Sequence, residues 1–223
     1  MGKTISFVKG KGSISHNNRD FIADNVDRDR MAWNEYYIQQ PLKEAYEQIF
    51  GPAVAEYNAR QKRKDRQIKD YLTDIKNSGN NEKQFYEIVV QIGKREDTGV
   101  VDENGELTES AKEASQILDE YVRSFQERNP NLYLFNAVLH MDEATPHLHI
   151  DFVPFTTGSK RGLDTRVSMK GALKQQGFIG TGRSDTERAQ WAESEKEALS
   201  KIMFAHGIEW EQKGTHEKHK TVS

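Results

Sequence analysis

Residues 132–155, LYLFNAVLHMDEATPHLHIDFVPF, leave the chain little conformational choice. Two runs of strand length, rich in aliphatic and aromatic residues, flank the polar segment MDEATP, so the pattern predicts two antiparallel strands joined by a turn. In HLHIDF, residues of one parity share a face. His147, His149 and Asp151 therefore point one way, and Leu148, Ile150 and Phe152 point into a core. His140 ends the first strand and falls beside His147 across the hairpin. Three of the chain's seven histidines thus meet within ten positions. A lone histidine is usually satisfied by ordinary hydrogen bonds, but three on one predicted face suit a divalent metal with positions left open for substrate. The HExxH helix of zinc proteases is absent. Nitrogen ligation fits manganese, which we place first, and also Mg, Zn, Ni or Co.

The rest of the chain supplies a setting for this hairpin. KTISFVKG reads as a first strand stopped by Gly10 and Gly12, and QFYEIVVQI at 84–92 as another. From Asn34 to Leu72 the spacing of Ile38, Leu42, Ala45, Tyr46, Ile49, Phe50, Val54 and Tyr57 is helical, with Gly51-Pro52 predicting a kink or a break. Residues 94–107 are turn-rich and could form a small hairpin. Ser110 with Glu113, and Ser184 with Glu187, have capping-box spacing at the start of two further helices; Gly207 ends the second. The expected fold class is α+β: a mostly antiparallel sheet carrying the histidine site, covered by long helices.

Composition removes several alternatives. No apolar run is long enough to span a membrane, and no secretory leader precedes the first strand. Zero cysteines exclude disulfides and thiolate metal sites and agree with a bacterial cytoplasm. A net charge of −3 argues mildly against nucleic acid. That average conceals segregation: residues 59–69 hold six basic residues against one acid, and residues 158–174 hold five against one. Separated charge permits a basic groove on a near-neutral molecule.

A second polar cluster, SHNNRDF followed by NVDRDRMAWNEYY, lies where a loop should leave the first strand. By composition alone it is a turn-forming loop. Taken together, HMDEATPHLHIDFVP, the HNNR of 16–19 and the NVD…N of 25–34 resemble the MobV (Pre/Mob) family of plasmid mobilisation relaxases. These belong to the HUH group of single-strand DNA endonucleases, and the histidine–hydrophobe–histidine motif matches His147-Leu148-His149. The likeness covers nearly the whole chain, including GLDTRVSMKGALKQQGF and HGIEWEQKGTHEKH downstream. One departure is that Glu35 separates Asn34 from Tyr36, where the family has an Asn-Tyr pair.

The resemblance implies site- and strand-specific nicking of a plasmid transfer origin, single-stranded or folded as a hairpin, with a covalent 5′-phosphate adduct on the protein. In this reading His16 is the nucleophile, in place of the more usual tyrosine, for which Tyr36 and Tyr37 are the alternatives. A metal sits on His140, His147 and His149; Arg19 offers a forked cation to the phosphate; and Glu143, ahead of Asp142, takes or orients a proton. Asn25, Asp27 and Asn34 support the loop around the site, and Asp151 stands behind the metal ligands. Phosphate contacts are expected from Arg60, Lys62, Arg63 and Lys64, and from Lys160, Arg161, Arg166 and Lys170. Residues 1–223 are read as a single relaxase domain forming the N-terminal part of a longer protein, with dimerisation through a missing C-terminal region. Two other classes fit the same residues less well: a metal-dependent phosphoesterase with no covalent DNA intermediate, and a non-catalytic origin-binding replication or regulatory protein.

Overall fold

Period-two alternation builds the centre of the molecule, and amphipathic helices close both of its faces. The structure is a computed structural model that describes residues 2–80 and 82–212. In chain order the strands are β1 (Gly2–Lys3), β2 (Ile5–Lys9), β3 (Glu35–Gln39), β4 (Tyr86–Ile92), β5 (Leu132–His140), β6 (His147–Thr156), β7 (Arg166–Val167) and β8 (Glu209–Trp210). The helices are α1 (Ile14–Asn17), α2 (Leu42–Ala59), α3 (Tyr71–Asn77), α4 (Arg95–Thr98), α5 (Glu109–Arg123), α6 (Phe125–Arg128), α7 (Met169–Gln175) and α8 (Glu187–Ala205). The main sheet has the order β2-β4-β6-β5-β3, all antiparallel, with β7 pairing the far end of β6. The α+β sheet expected from the sequence is therefore the observed architecture.

Alternation decides what each face meets. Ile88, Val90, Ile92, Ala137, Leu139, Leu148, Ile150 and Phe152 join the larger core, with α5, α7 and α8 packed over them. On the other face Phe135 and Val153 pack with Ala45, Tyr46 and Phe50 of α2 and Ile75 of α3. That second core covers only one end of the face. Toward the other end of β5 and β6 its place is taken by Asn136, Asp151, His149, His140 and His147, all buried. A bulge between Leu134 and Asn136 brings the parity of β5 into line, so that Asn136 pairs with Asp151, Val138 with His149, and His140 with His147.

Several local expectations are corrected. The predicted helix over 34–72 is a strand, then two helices. EYYIQ pairs with β5 as an edge strand, and only beyond Pro41 does α2 begin. Tertiary pairing overrides the local periodicity here. Gly51-Pro52 does not interrupt α2, which runs through Pro52. The N-caps are Thr108 and Thr186, two residues before and two after the serines first chosen; their side chains accept from Ala111 N and Ala189 N. Residues 94–107 hold the short helix α4 and a single bridge between Val101 and Leu107. The ending KGTHEKHKTVS lies outside the described residues.

Candidate active site

The hairpin brings three imidazoles into a triangle. Ring centroids lie 5.3 Å apart for His140 and His147, 4.7 Å for His140 and His149, and 5.0 Å for His147 and His149. Each ring spends one nitrogen on an acceptor behind it. His140 Nε2 donates to the Asn17 carbonyl (2.8 Å), His147 Nδ1 to the Thr145 carbonyl (2.8 Å), and His149 Nδ1 to Glu87 Oε1 (2.6 Å). Those bonds fix the tautomers and leave His140 Nδ1, His147 Nε2 and His149 Nε2 with lone pairs. His140 Nδ1 and His149 Nε2 are buried with no partner among the described residues, a costly condition unless something else binds there. Burial, and then the neighbouring imidazoles, push His140 far below the ordinary histidine range. Burial and His149, opposed by Glu143, bring His147 down to about 4. Both are therefore in the neutral form a cation needs, and two groups sharing His140 have ligand atoms within 4.8 Å of one another that could hold a metal ion: His16, His140 and His149, and His140, Glu143 and His147.

Behind the triangle stands a residue that the sequence reading passed over. Glu87, on β4, also accepts from the Asn17 side chain (2.9 Å) and from Gly12 N. Burial raises its pKa, but the His149 bond and charge outweigh that and hold it below the usual carboxylate range. Its register partner Asp151 accepts from Asn17 and Asn136, 2.9 Å each, and is pushed up to about 7 by burial and by the Glu87 charge. Asp151 thus braces Asn17, whose carbonyl orients His140, and touches no ligand itself. Replacing Glu87 with glutamine should lower divalent-metal affinity 10–100-fold, read by calorimetric titration. An unchanged affinity would remove Glu87 from the site.

His16 comes to the same place from α1. Its ring lies 6.0 Å from that of His140 and 5.8 Å from that of His149, with Nε2 3.6 Å from Glu143 Oε1. Glu143 Oε1 is also 3.8 Å from His140 Nδ1 and 3.9 Å from His147 Nε2. Burial lowers the His16 pKa; Glu143 raises it, and Arg19 and His149 lower it further. His16 is therefore a neutral, largely buried imidazole, a quarter exposed, beside the ligand triangle.

Arg19 differs from its expected use. Its fork is closed on Asp142, through Nε (2.8 Å) and Nη2 (2.5 Å), and Nη2 also reaches Glu143 Oε1 at 2.9 Å. Only Nη1 turns toward His16, 3.1 Å from its carbonyl and 3.4 Å from Nε2. The fork therefore anchors Asp142 and Glu143, and Asp142, ranked second at the sequence level, is its fully buried partner. The remaining loop residues clamp the 141–143 turn. Asn25 donates to Glu143 Oε2 (2.7 Å), Asn34 donates to Asp142 (2.6 Å) and accepts from Met141 N (2.7 Å), and Asp27 N donates to the Asp142 carbonyl (2.8 Å). Asp27 also holds Arg30, which donates to the carbonyls of Met141 and Glu143.

The tyrosines separate by face. Tyr37 packs against the larger core, and burial pushes its phenol far up. Tyr36 is exposed and pairs with Val138, itself opposite His149. Arg60, Lys62, Arg63 and Lys64 are exposed after α2, with Arg60 on Glu56 and Arg63 on Asp65. Lys160 and Arg161 are exposed too, and Lys170 pairs with Glu187. Arg166 pairs with Thr156, roughly 23 Å along β6 from His149 at about 3.3 Å per residue.

Known proteins match this arrangement in sequence pattern and in fold. The family model Mob_Pre, plasmid recombination enzyme, matches residues 23–222, a span that contains the three hairpin histidines. No curated protein matches the chain. Among solved structures, the MobM relaxase domain (MOBV; Mob_Pre) bound to plasmid pMV158 oriT DNA of 22 nucleotides, a Mn-bound crystal structure, aligns at TM-score 0.53 with 19% identity over 99% of this chain and 96% of that one. A second Mn-bound structure of the same complex aligns at 0.52 with 20% identity, covering 100% and 97%. A third, with a 3′-thiophosphate on the DNA, aligns at 0.50 with 20% identity, covering 100% and 96%.

Proposed function

We propose, from the premise that the chain belongs to the Mob_Pre family of plasmid recombination enzymes, that it nicks one DNA strand at a plasmid transfer origin and retains the 5′-phosphate on His16. One observation carries this reading. A neutral imidazole, His16, stands within 6.0 Å of the rings of His140 and His149, each of which has a buried nitrogen with no hydrogen-bond partner among the described residues. The same rings belong to two sets of ligand atoms lying within 4.8 Å of one another, His16 with His140 and His149, and His140 with Glu143 and His147.

A divalent cation, manganese in this reading, would be held by His140 Nδ1, His147 Nε2 and His149 Nε2 and would supply charge neutralisation at the scissile phosphate. The chain's own residues do the rest. A lone pair of neutral His16 forms the P–N bond as the P–O3′ bond breaks. The proton displaced from the ring passes to Glu143, and the departing 3′ oxygen takes up a proton from solvent. Arg19 holds Glu143 and Asp142 in place and directs Nη1 toward the His16 ring, so that the nucleophile keeps one orientation.

The test is direct. Labelled oligonucleotides tiling the transfer origin of the plasmid that encodes the chain are incubated with the protein and manganese, then run under denaturing conditions. A shifted band that survives base and disappears in mild acid is expected, because phosphoramidates are acid-labile. Hydrolysis of a simple phosphodiester with no shifted band would replace this reading with a metal-dependent phosphoesterase. Binding without cleavage would make the protein an origin-binding module.

A further inference from the structure

The basic residues expected from the sequence are exposed, and Arg166 lies roughly 23 Å along β6 from His149, which leaves open how a DNA strand reaches the imidazole triangle. An unassigned cleft of about 290 Å³ is lined by Lys9, Lys11, Lys76, Lys83, Tyr86 and Glu87. Four lysines face it from three separate elements: β2 and the loop after it, the end of α3, and the approach to β4. None of the four forms an ion pair among the described residues. The lysines that do so there are Lys43, Lys94, Lys112, Lys170, Lys174 and Lys196. Lys9 and Lys83 stand close enough for hydrogen-bond contact and mutual repulsion, which lowers the Lys9 pKa. The lining also holds Glu82 and Glu87, but neither pairs with a lysine among the described residues, so the crowded ammonium groups form an unfilled anion site.

The position of the cleft gives it meaning. Its inner wall is Glu87, the acceptor of His149 Nδ1–H. The loop Gly10–Gly12 presses so closely on that carboxylate that a Cβ at Gly10 would fall 2.1 Å from Glu87 Oε2. The same loop runs into α1 and His16. Outward, Glu82 lines the cleft and feels the charge of Arg166, while Tyr71 at the start of α3 accepts from Val167 N. Lys9 pairs with Ile88 and so belongs to the larger-core face, whereas Glu87 has the parity of the histidines and Lys76 sits on α3 of the second core, so the cleft draws its lining from both faces of the sheet.

We propose that Lys9, Lys11, Lys76 and Lys83 form a phosphate-binding track for the single-stranded DNA backbone, joined to the active site through the Gly10–Gly12 loop that leads into α1 and His16. The inference rests on the nicking reading for its direction. Its occupant, an extended phosphodiester strand, follows from unpaired cations that three separate elements bring to one cleft.

The experiment is fluorescence anisotropy of a labelled 20-nucleotide single strand over a range of salt. The full chain is compared with the pair Lys9→Glu/Lys83→Glu, the pair Lys9→Arg/Lys83→Arg, and a control pair outside the cleft, Lys112→Glu on α5 with Lys196→Glu on α8. Each lost phosphate contact lowers the slope of log K against log salt by about 0.7, so the cleft pair should lose about 1.4 in slope and roughly tenfold or more in affinity. The arginine pair should bind like the wild type. Equal binding and slope in the cleft pair, with an unchanged melting temperature, would overturn the track, as would an equal loss in the control pair. An acid-labile adduct formed normally by a protein whose cleft pair is inert would sink the track alone. A cleft pair that weakens binding in a protein that forms no adduct would sink the nicking reading alone.

Discussion

His16→Ala is expected to abolish the acid-labile adduct, a loss of roughly 10⁴-fold or more, while the protein still folds and binds single-stranded DNA. The side chain is a quarter exposed and lies outside both apolar clusters, so its removal leaves the core intact. Tyr36→Phe and Tyr37→Phe should form adduct at the wild-type rate. An acid-stable adduct that vanishes in Tyr36→Phe would transfer the nucleophile to the edge strand. The pH dependence has a definite sign. Attack needs the neutral ring, and burial, with Arg19 and His149, holds the His16 pKa below 6.5 despite Glu143. The neutral fraction rises with pH through that lowered value and is nearly complete above it. Adduct formation measured by single-turnover quench should therefore be flat above about pH 6.5 and should fall only at more acidic pH than a free imidazole would require. A rate still climbing through pH 7 to 9 would instead indicate a phenol or another group of high pKa.

The hairpin was legible because two constraints coincide in it: period-two alternation fixes which face each side chain takes, and the short polar turn fixes the register. Predicting that His140 stands opposite His147 needed nothing more, and the pairing is observed. Glu87 was not found because its partner lies 62 residues away on a neighbouring strand, and local periodicity says nothing about which strand that is. A signal existed nonetheless. A single acid inside the β-branched run of β4 must be exposed, paired or functional, since an isolated buried carboxylate is costly. The strand at 35–39 was misread because edge-strand residues and the start of an amphipathic helix share a composition, and only pairing with β5 separates them. The lysine cleft escaped for the same reason as Glu87. Lys9, Lys11, Lys76 and Lys83 never form a run, whereas the visible runs at 59–69 and 158–174 are exposed and partly neutralised by Glu56, Asp65 and Glu187. Linear charge density reports solvation; convergence in space has to be seen.

Arg19→Ala should destabilise the protein by about 3–5 kcal/mol, lowering the melting temperature by roughly 10 °C in differential scanning calorimetry. The pair it breaks is buried on both sides: the Arg19 side chain is 2% exposed and the Asp142 side chain 0%. Removing the guanidinium leaves a charged carboxylate in the interior with only Asn34 donating to it from a side chain. Arg19 is also the one non-glycine residue with positive φ, 59°, among the described residues, and its fork is what holds that left-handed turn. Alanine would keep the conformational cost and lose the restraint. The double variant Arg19→Ala/Asp142→Asn should regain much of the lost stability, because the stranded charge is then gone; that recovery is the non-additivity expected of contacting partners. If the guanidinium were instead a free fork awaiting phosphate, Arg19→Ala would leave the melting temperature unchanged and weaken only DNA binding. The two readings also part at Asp142→Asn. A buried anchor predicts lower stability with Arg19 present, because the arginine is then the unpaired charge, while a phosphate-binding arginine predicts tighter binding once its competing carboxylate is neutral.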